Sequence, residues 1–156
     1  MKKLLKLSSA IMVVVAALSI GLFVSCKEED ENTNQPIATA EIDLKVDAYA
    51  LKACLNDREV YVVNTQEDYK ALLSSCVDYL PWIDFYNHSF IIVRGQTGCL
   101  NSQTMYFSKI STNSYDLEVN LHLAICSSMD PWYSAFITNT KIADDASINL
   151  EVKTYY

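Results

Sequence analysis

The chain has 156 residues, with 19 acidic and 12 basic side chains and a formal net charge of −7 at pH 7. No window clusters lysine or arginine, which argues against nucleic acid as a partner, because phosphate binding needs a basic patch. Three glycines are too few for a glycine-patterned barrel or repeat.

Residues 1–25 have the composition of a secretory signal peptide. Residues 1–6 carry three lysines and no acid, and residues 10–24 form an almost unbroken apolar run. A run of about 15 residues is shorter than the roughly 20 that cross a hydrocarbon core. We therefore leave this segment out of the folded domain.

The apolar run ends in Phe23-Val24-Ser25-Cys26, which resembles the lipobox of bacterial lipoproteins. The resemblance implies cleavage before Cys26 and acylation of Cys26, which would attach the mature protein to a membrane. Phe23 stands where the motif usually has leucine. Ordinary signal cleavage, which leaves Cys26 as a free thiol, is the alternative.

Residues 26–40 are predicted to form a flexible acidic tether, because low hydrophobicity and clustered like charge keep a segment solvated. The acids at 28–31 resemble the export signal of Bacteroidetes-type lipoproteins. That resemblance implies display on the cell surface of the outer membrane, with the periplasmic face as the alternative. Residues 41–156 are predicted to be a single domain.

Four cysteines remain in the predicted domain: Cys54, Cys76, Cys99 and Cys126. An even count in an exported domain predicts disulfides. Three pairings are possible, and we favour Cys54 with Cys76 and Cys99 with Cys126, since each closes a loop of moderate length. The wide spacing argues against zinc, and no metal or other cofactor is predicted.

The first elements of the domain follow from hydrophobic periodicity. Residues 42–48 alternate between apolar and polar, which predicts a half-buried strand, and residues 59–63 predict a second strand. Thr65 and Asp68 resemble a helix start, and apolar residues follow at helical spacing through residues 69–76. These features predict one amphipathic helix.

The remaining segments are predicted as strands. Residues 89–93 are apolar at successive positions, which predicts a central strand covered on both faces. Further strands are predicted over residues 103–110, 117–125, 133–138 and 147–154. Short connections favour antiparallel neighbours. The predicted fold class is α+β, with about seven mainly antiparallel strands in a sandwich or barrel and one short helix.

The segments Ile83-Asp84-Phe85 and Phe90-Ile91-Ile92-Val93-Arg94-Gly95, followed by the turn Thr97-Gly98, resemble the C-terminal domain of protease-complex accessory proteins, the PrcB-like family. The resemblance covers residues 60–153. In that family the turn usually reads Gly-Gly before Tyr or Ser, whereas Cys99-Leu100-Asn101 follows Gly98 here. The resemblance implies a non-catalytic lipoprotein that associates with, stabilises or restrains an exported protease.

Few residues are candidates for catalysis. His122 lies on the polar face of a predicted strand and His88 in a predicted loop, and neither belongs to a catalytic motif. Asp78 and Asp84 flank a loop as a conceivable carboxylate pair, but turn and capping roles are commoner. We predict no catalytic residues and a protein that is not an enzyme.

The predicted function is that of a protein-interaction module. Trp82 and Trp132 each follow a proline at a turn, where they either form a recognition patch or close the ends of the core. The turn after the central strand is the predicted contact site, through Gln96, Thr97, Leu100 and Asn101. The alternative is a scaffold that binds a glycan or small ligand on a concave sheet face lined by some of the ten tyrosines.

The lipid anchor is testable by a single substitution. Each buried methylene adds about 0.8 kcal/mol of membrane affinity, so several acyl chains hold a protein on the membrane. We expect Cys26→Ser to move the protein into the soluble fraction of fractionated cells. An unchanged membrane fraction for this variant would rule out acylation at Cys26.

Overall fold

A computed structural model describes residues 34–56 and 58–156. The predicted signal peptide, Cys26 and most of the predicted tether lie outside the described residues. The strands are β1 (Gln35–Pro36), β2 (Thr39–Glu41), β3 (Val60–Val63), β4 (Phe90–Thr97), β5 (Leu100–Ser111), β6 (Ser114–Leu123), β7 (Asp130–Thr138) and β8 (Ser147–Tyr155). The helices are α1 (Ala48–Cys54) and α2 (Gln66–Leu73).

The strands form two four-stranded sheets. The first sheet has the order β1-β5-β6-β8 and the second has the order β2-β7-β4-β3. Every pair is antiparallel except β6 with β8. The predicted α+β class with mainly antiparallel strands is confirmed. The described residues form eight strands in place of about seven, and two helices in place of one.

The parallel pair of β6 and β8 is the exception to the antiparallel pairing that short connections favour. Residues 124–146 separate these two strands and include β7, which belongs to the other sheet. A connection of a dozen or more residues can return the chain to the end of the sheet where it began. The excursion through the second sheet therefore makes the parallel pair possible.

β4 is the central strand, as its unbroken apolar run predicts. It lies between β3 and β7, and its first four residues are fully buried. Phe90 and Ile92 pack with residues of both helices, whereas Ile91 and Val93 pack on the opposite face, between the two sheets. The domain therefore has three layers, in the order helices, second sheet and first sheet.

Helix α2 forms where the capping pattern predicts it. The Thr65 hydroxyl accepts a hydrogen bond of 3.1 Å from the backbone N–H of Asp68, which satisfies a free donor in the first turn. Tyr69 and Leu73 are completely buried, and the Tyr69 ring lies 4.8 Å from that of Phe90. The predicted apolar face thus packs on the second sheet.

The predicted strand over residues 42–48 is wrong. β2 ends at Glu41, and Lys45 has a φ of 55°, in the left-handed region that extended strands do not use. The Asp47 carboxylate then accepts hydrogen bonds from two backbone N–H groups and caps the missed helix α1. Turn and capping interactions outweigh the apolar alternation here.

β1 and the start of β2 lie inside the predicted tether, residues 26–40. β1 pairs with β5, and β2 pairs with β7. Ile37, between them, packs against the core that separates the sheets. Residues 35–40 therefore belong to the folded domain, because their backbone groups extend both sheets.

Two apolar residues that the alternation predicts as inward are exposed. β6 ends at Leu123, and Ile125 beyond it is 99% exposed, because the chain has left the first sheet on its way to β7. Val152, on the edge strand β8, is 42% exposed. The alternation is correct for the body of β6, where Leu117 and Val119 have no exposed surface.

Burial of the central strand should contribute strongly to the stability of the domain. Substituting one buried and one exposed isoleucine measures this contribution. Ile92 is fully buried and Ile125 is 99% exposed. We expect Ile92→Ala to lower the free energy of unfolding by about 2–5 kcal/mol through the lost burial and the cavity. Ile125→Ala should change it by about 0.5 kcal/mol or less. Urea unfolding measures both values, and similar losses would contradict the assigned core.

Candidate functional site

The predicted contact residues lie where β4 ends and β5 begins. Gln96 and Asn101 are exposed, and Leu100 is 37% exposed. Thr97 is only 6% exposed, which corrects its assignment as a contact residue. It pairs with Asp130 at the end of β4, and strand alternation turns its side chain to the face opposite that of Gln96.

A disulfide joins this turn to the segment between β6 and β7. It links Cys99 and Cys126, whose Cα atoms are 5.8 Å apart, so the predicted pairing of these two cysteines is present. The backbone N–H of Ala124 also donates a hydrogen bond of 2.8 Å to the Cys99 carbonyl. The disulfide thereby ties the connection between β4 and β5 to the connection between β6 and β7.

Exposed apolar side chains flank this disulfide. Ile125 is 99% exposed and Met129 is 68% exposed. With Gln96, Leu100 and Asn101 they form a surface that we call the disulfide end. Sequence reasoning missed Ile125 because the alternation of β6 places it inside. The adjacent Cys126 could have indicated that the strand ends before Ile125, because its disulfide holds this segment in a loop.

A shared carboxylate connects α1 to the disulfide end. Asp130 accepts hydrogen bonds from the Tyr49 hydroxyl at 2.6 Å and from the Ser128 hydroxyl at 3.0 Å. The hydrogen bond to Asp130 raises the pKa of Tyr49 above its usual value. The loop that carries Met129 is therefore held by a side-chain hydrogen bond as well as by the disulfide.

The two tryptophans have opposite environments. Trp132 is 4% exposed, and its ring lies so close to Gly95 that an added Cβ would sit 2.8 Å from it. Position 95 therefore requires glycine. Trp82 is 80% exposed. The core interpretation is correct for Trp132, and the exposed-patch interpretation describes Trp82.

A loop at the other end of β4 exposes three aromatic side chains, those of Tyr79, Trp82 and Tyr86. Ile83, between them, is 4% exposed and packs in the core beneath the helices. We call residues 79–86 the aromatic loop. It precedes β4, whereas the disulfide end follows β4, so the two surfaces lie at opposite ends of that strand.

Asp84 has a structural role in the turn at the end of the aromatic loop. Its carboxylate accepts hydrogen bonds from the Asn87 amide at 2.9 Å and from the Tyr86 backbone N–H at 3.1 Å. These two interactions, the Asn87 bond first, hold the pKa of Asp84 below its usual value. Asp84 therefore stabilises a turn, which is the role that the sequence favours over a catalytic carboxylate pair with Asp78.

Both histidines have structural contacts. His88 Nδ1 lies 2.7 Å from the carbonyl oxygen of Thr138, and the His122 ring stacks on Tyr155 with 5.2 Å between centroids. His122 is exposed, as its place on the polar face of a strand predicts. Within the described part of the chain, no three His, Cys, Asp or Glu side chains come together as a metal site.

The predicted bridge between Cys54 and Cys76 is not formed, and both carry free thiols in the structure. Burial, followed by the hydrogen bond with Cys54, raises the pKa of Cys76 to about 12. A thiol with that pKa stays protonated at neutral pH, and the thiolate is the reactive form. Cys76 is therefore poorly suited to nucleophilic catalysis.

A cavity of about 480 Å³ opens beside β5. Among the described residues, Tyr106 and Phe107 are the aromatic residues in its lining, and Phe107 is only 4% exposed, so Tyr106 alone offers its ring to a ligand. The cavity therefore lacks the several aromatic side chains that the ligand-binding alternative predicts. Its size nevertheless suits a small ligand.

No protein-family model, curated protein or solved structure matches this chain. The resemblance to protease-complex accessory proteins therefore stays a prediction. In residues 34–56 and 58–156, neither helix has the length and hydrophobicity that crossing a membrane requires.

The disulfide at the candidate site should stabilise the domain. It closes a loop over a sequence separation of 27 residues, for which loop-closure entropy predicts about 3.5 kcal/mol. We expect the double substitution Cys99→Ala/Cys126→Ala to lower the melting temperature by about 10 °C or more. Thiol titration of the denatured, unreduced protein provides the control. Free thiols at both positions in the unsubstituted protein would contradict the bridge.

Proposed function

We propose that this protein is a membrane-anchored interaction module that binds a protein partner through its disulfide end and catalyses no reaction. The observation that carries the proposal is the exposure of Ile125 and Met129 beside the disulfide. Grouped apolar side chains that remain exposed on a folded domain are typical of contact surfaces.

The way this surface is held supports the proposal. The disulfide and the Tyr49–Asp130 hydrogen bond restrain the loops that carry the apolar side chains. A surface that is ordered before binding loses less conformational entropy when a partner arrives. Restrained apolar side chains with a polar rim, here Gln96 and Asn101, resemble the anchors that dominate protein interfaces.

The location and partner in this proposal come from the sequence. Acylation of Cys26 would fix the protein to the outer membrane, and the acidic residues 28–31 favour display on the cell surface. The resemblance to protease-complex accessory proteins makes an exported protease the first partner to test, with this chain as its stabiliser or inhibitor.

The glycan-binding alternative has weaker support. Its favourable feature is the cavity of about 480 Å³ beside β5, which includes Tyr106. Sugar sites commonly rely on more than one aromatic platform, and the most exposed aromatic residues, Trp82, Tyr86 and the terminal Tyr156, line no part of this cavity. The exposed side chains therefore favour a protein-interaction module over a glycan-binding scaffold.

Partner capture with a double variant tests the proposal. Ile125→Asp/Met129→Asp places charges on a surface that is already solvent-exposed, so the fold should persist with an unchanged melting temperature. We expect capture from membranes, followed by mass spectrometry, to recover the partner at a level about tenfold or more below wild type, as for hot-spot residues.

A matched variant at the opposite end of β4 controls for non-specific loss. Trp82→Asp/Tyr86→Asp also adds two charges at exposed positions, and it should retain the partner. Loss of the partner with this variant but not with the first would assign binding to the aromatic loop and contradict the disulfide end. A protein that recovers no partner from its own membranes would contradict the interaction module itself.

A further inference from the structure

Two adjacent cavities follow the strand β5. The first has a volume of about 480 Å³ and the second about 380 Å³. Both are lined by Thr39, Met105 and Tyr106. We treat them as one depression, the β5 groove, which extends along β5 from Gln103 to Ser108.

One wall of the groove is a strand edge with little pairing. β1 pairs with β5 only at Ser108 and Lys109, and the Ile37 N–H adds a bond to the Phe107 carbonyl. Among the described residues, no strand pairs with residues 100–106 on this side of β5. An edge of this length presents backbone donors and acceptors at the spacing of an added strand.

The floor of the second cavity contains polar atoms without partners. Ser134 is 2% exposed, and its Oγ has no hydrogen-bond partner in the described part of the protein. The same is true of Gln103 Oε1, although Gln103 Nε2 donates to the Tyr133 carbonyl at 3.2 Å and so fixes the amide. Buried polar atoms of this kind are costly unless a ligand or solvent group bonds to them.

The groove is acidic. Glu41 lines the second cavity, and Asp116, Glu118 and Glu151 line the first, whereas neither lining includes lysine or arginine. Lys153, which lies outside both linings, offsets part of this charge through ion pairs with Glu118 at 2.6 Å and Glu151 at 3.3 Å. A bound segment with positive charge would therefore be attracted, and an acidic one repelled.

We propose that the β5 groove binds an extended, basic peptide segment of a partner protein, which adds as a strand to the edge of β5 at residues 103–106, where the groove and the unpaired edge coincide. The strand edge supplies main-chain hydrogen bonds, and the carboxylates select lysine or arginine side chains. A sugar would meet the carboxylates but would leave the row of backbone groups on β5 unused. A second copy of this chain, with its net charge of −7, is a poor electrostatic match.

Hydrogen exchange with a defined probe tests the proposal. The full chain, purified in detergent, is mixed with a peptide of alternating lysine and threonine, because threonine favours strands and alternation places the lysines on one face. Backbone N–H groups alternate in direction along β5, and the Ile37 bond to the Phe107 carbonyl places those of Gln103 and Met105 on the side away from β6. We expect these two amides to exchange at least about tenfold more slowly. The alternating glutamate and threonine peptide, and the lysine peptide with methylated backbone amides, should give no protection.

Substitution of the carboxylates tests the charge argument. Glu118→Gln/Glu151→Gln should weaken binding of the lysine peptide about three- to tenfold, as should salt at about 0.5 M. Glu67→Gln removes one exposed carboxylate from α2, on the far side of the second sheet, and should leave affinity unchanged. Melting temperatures identify any variant that is misfolded, and salt dependence of the wild-type protein then decides the question.

Four outcomes would overturn the proposal. These are no protection of the Gln103 and Met105 amides at about 1 mM peptide, equal protection by the glutamate peptide, protection by the neutral sugar chitohexaose in place of the peptide, and protection that rises with protein concentration alone. The Ile125→Asp/Met129→Asp variant should bind the lysine peptide normally, so that failure of the disulfide end and failure of the groove are distinguishable.

Discussion

The burial of β4 on both faces is the constraint on which the rest of the structure depends. Its successive side chains belong to two different cores, one beneath the helices and one between the sheets. The strand order places β3 and β7 on either side, so neither core can form without β4 in position. The disulfide end and the aromatic loop lie at opposite ends of this strand, and their separation follows from its length.

The disulfide end and the β5 groove differ in how they would bind. At the disulfide end, restrained loops present apolar side chains, so contact area and shape would decide affinity. Along β5, the backbone itself would provide the contacts, and charge would decide which segments enter. A single partner could use both surfaces, since β5 begins beside Cys99 and continues into the groove.

Sequence patterns predicted the features that local chemistry determines. The apolar run at residues 89–93, the Thr65 cap and the alternation of β6 each specify an element by themselves. One local signal was missed, since the turn at Lys45 and the Asp47 cap end an apparent strand. The patterns also failed where distant contacts decide, because β7 belongs to the other sheet and β8 pairs in parallel with β6. Periodicity alone could not predict the exposure of Ile125. The neighbouring Cys126 is bonded to Cys99, 27 residues earlier, and this bond holds the segment outside β6.

The parallel strand β8 has a consequence for the order of folding. It spans Ser147–Tyr155, after the other seven strands of the described residues, and its Ile148 and Leu150 cover the core between the sheets. Until these residues have been synthesised, β6 has an open edge and that core faces water. Such long-range pairing slows folding and leaves strand edges prone to aggregation. A chain that lacks β8 therefore exposes the edge of β6 and the core between the sheets together, which makes β8 a safeguard against aggregation as well as part of the fold.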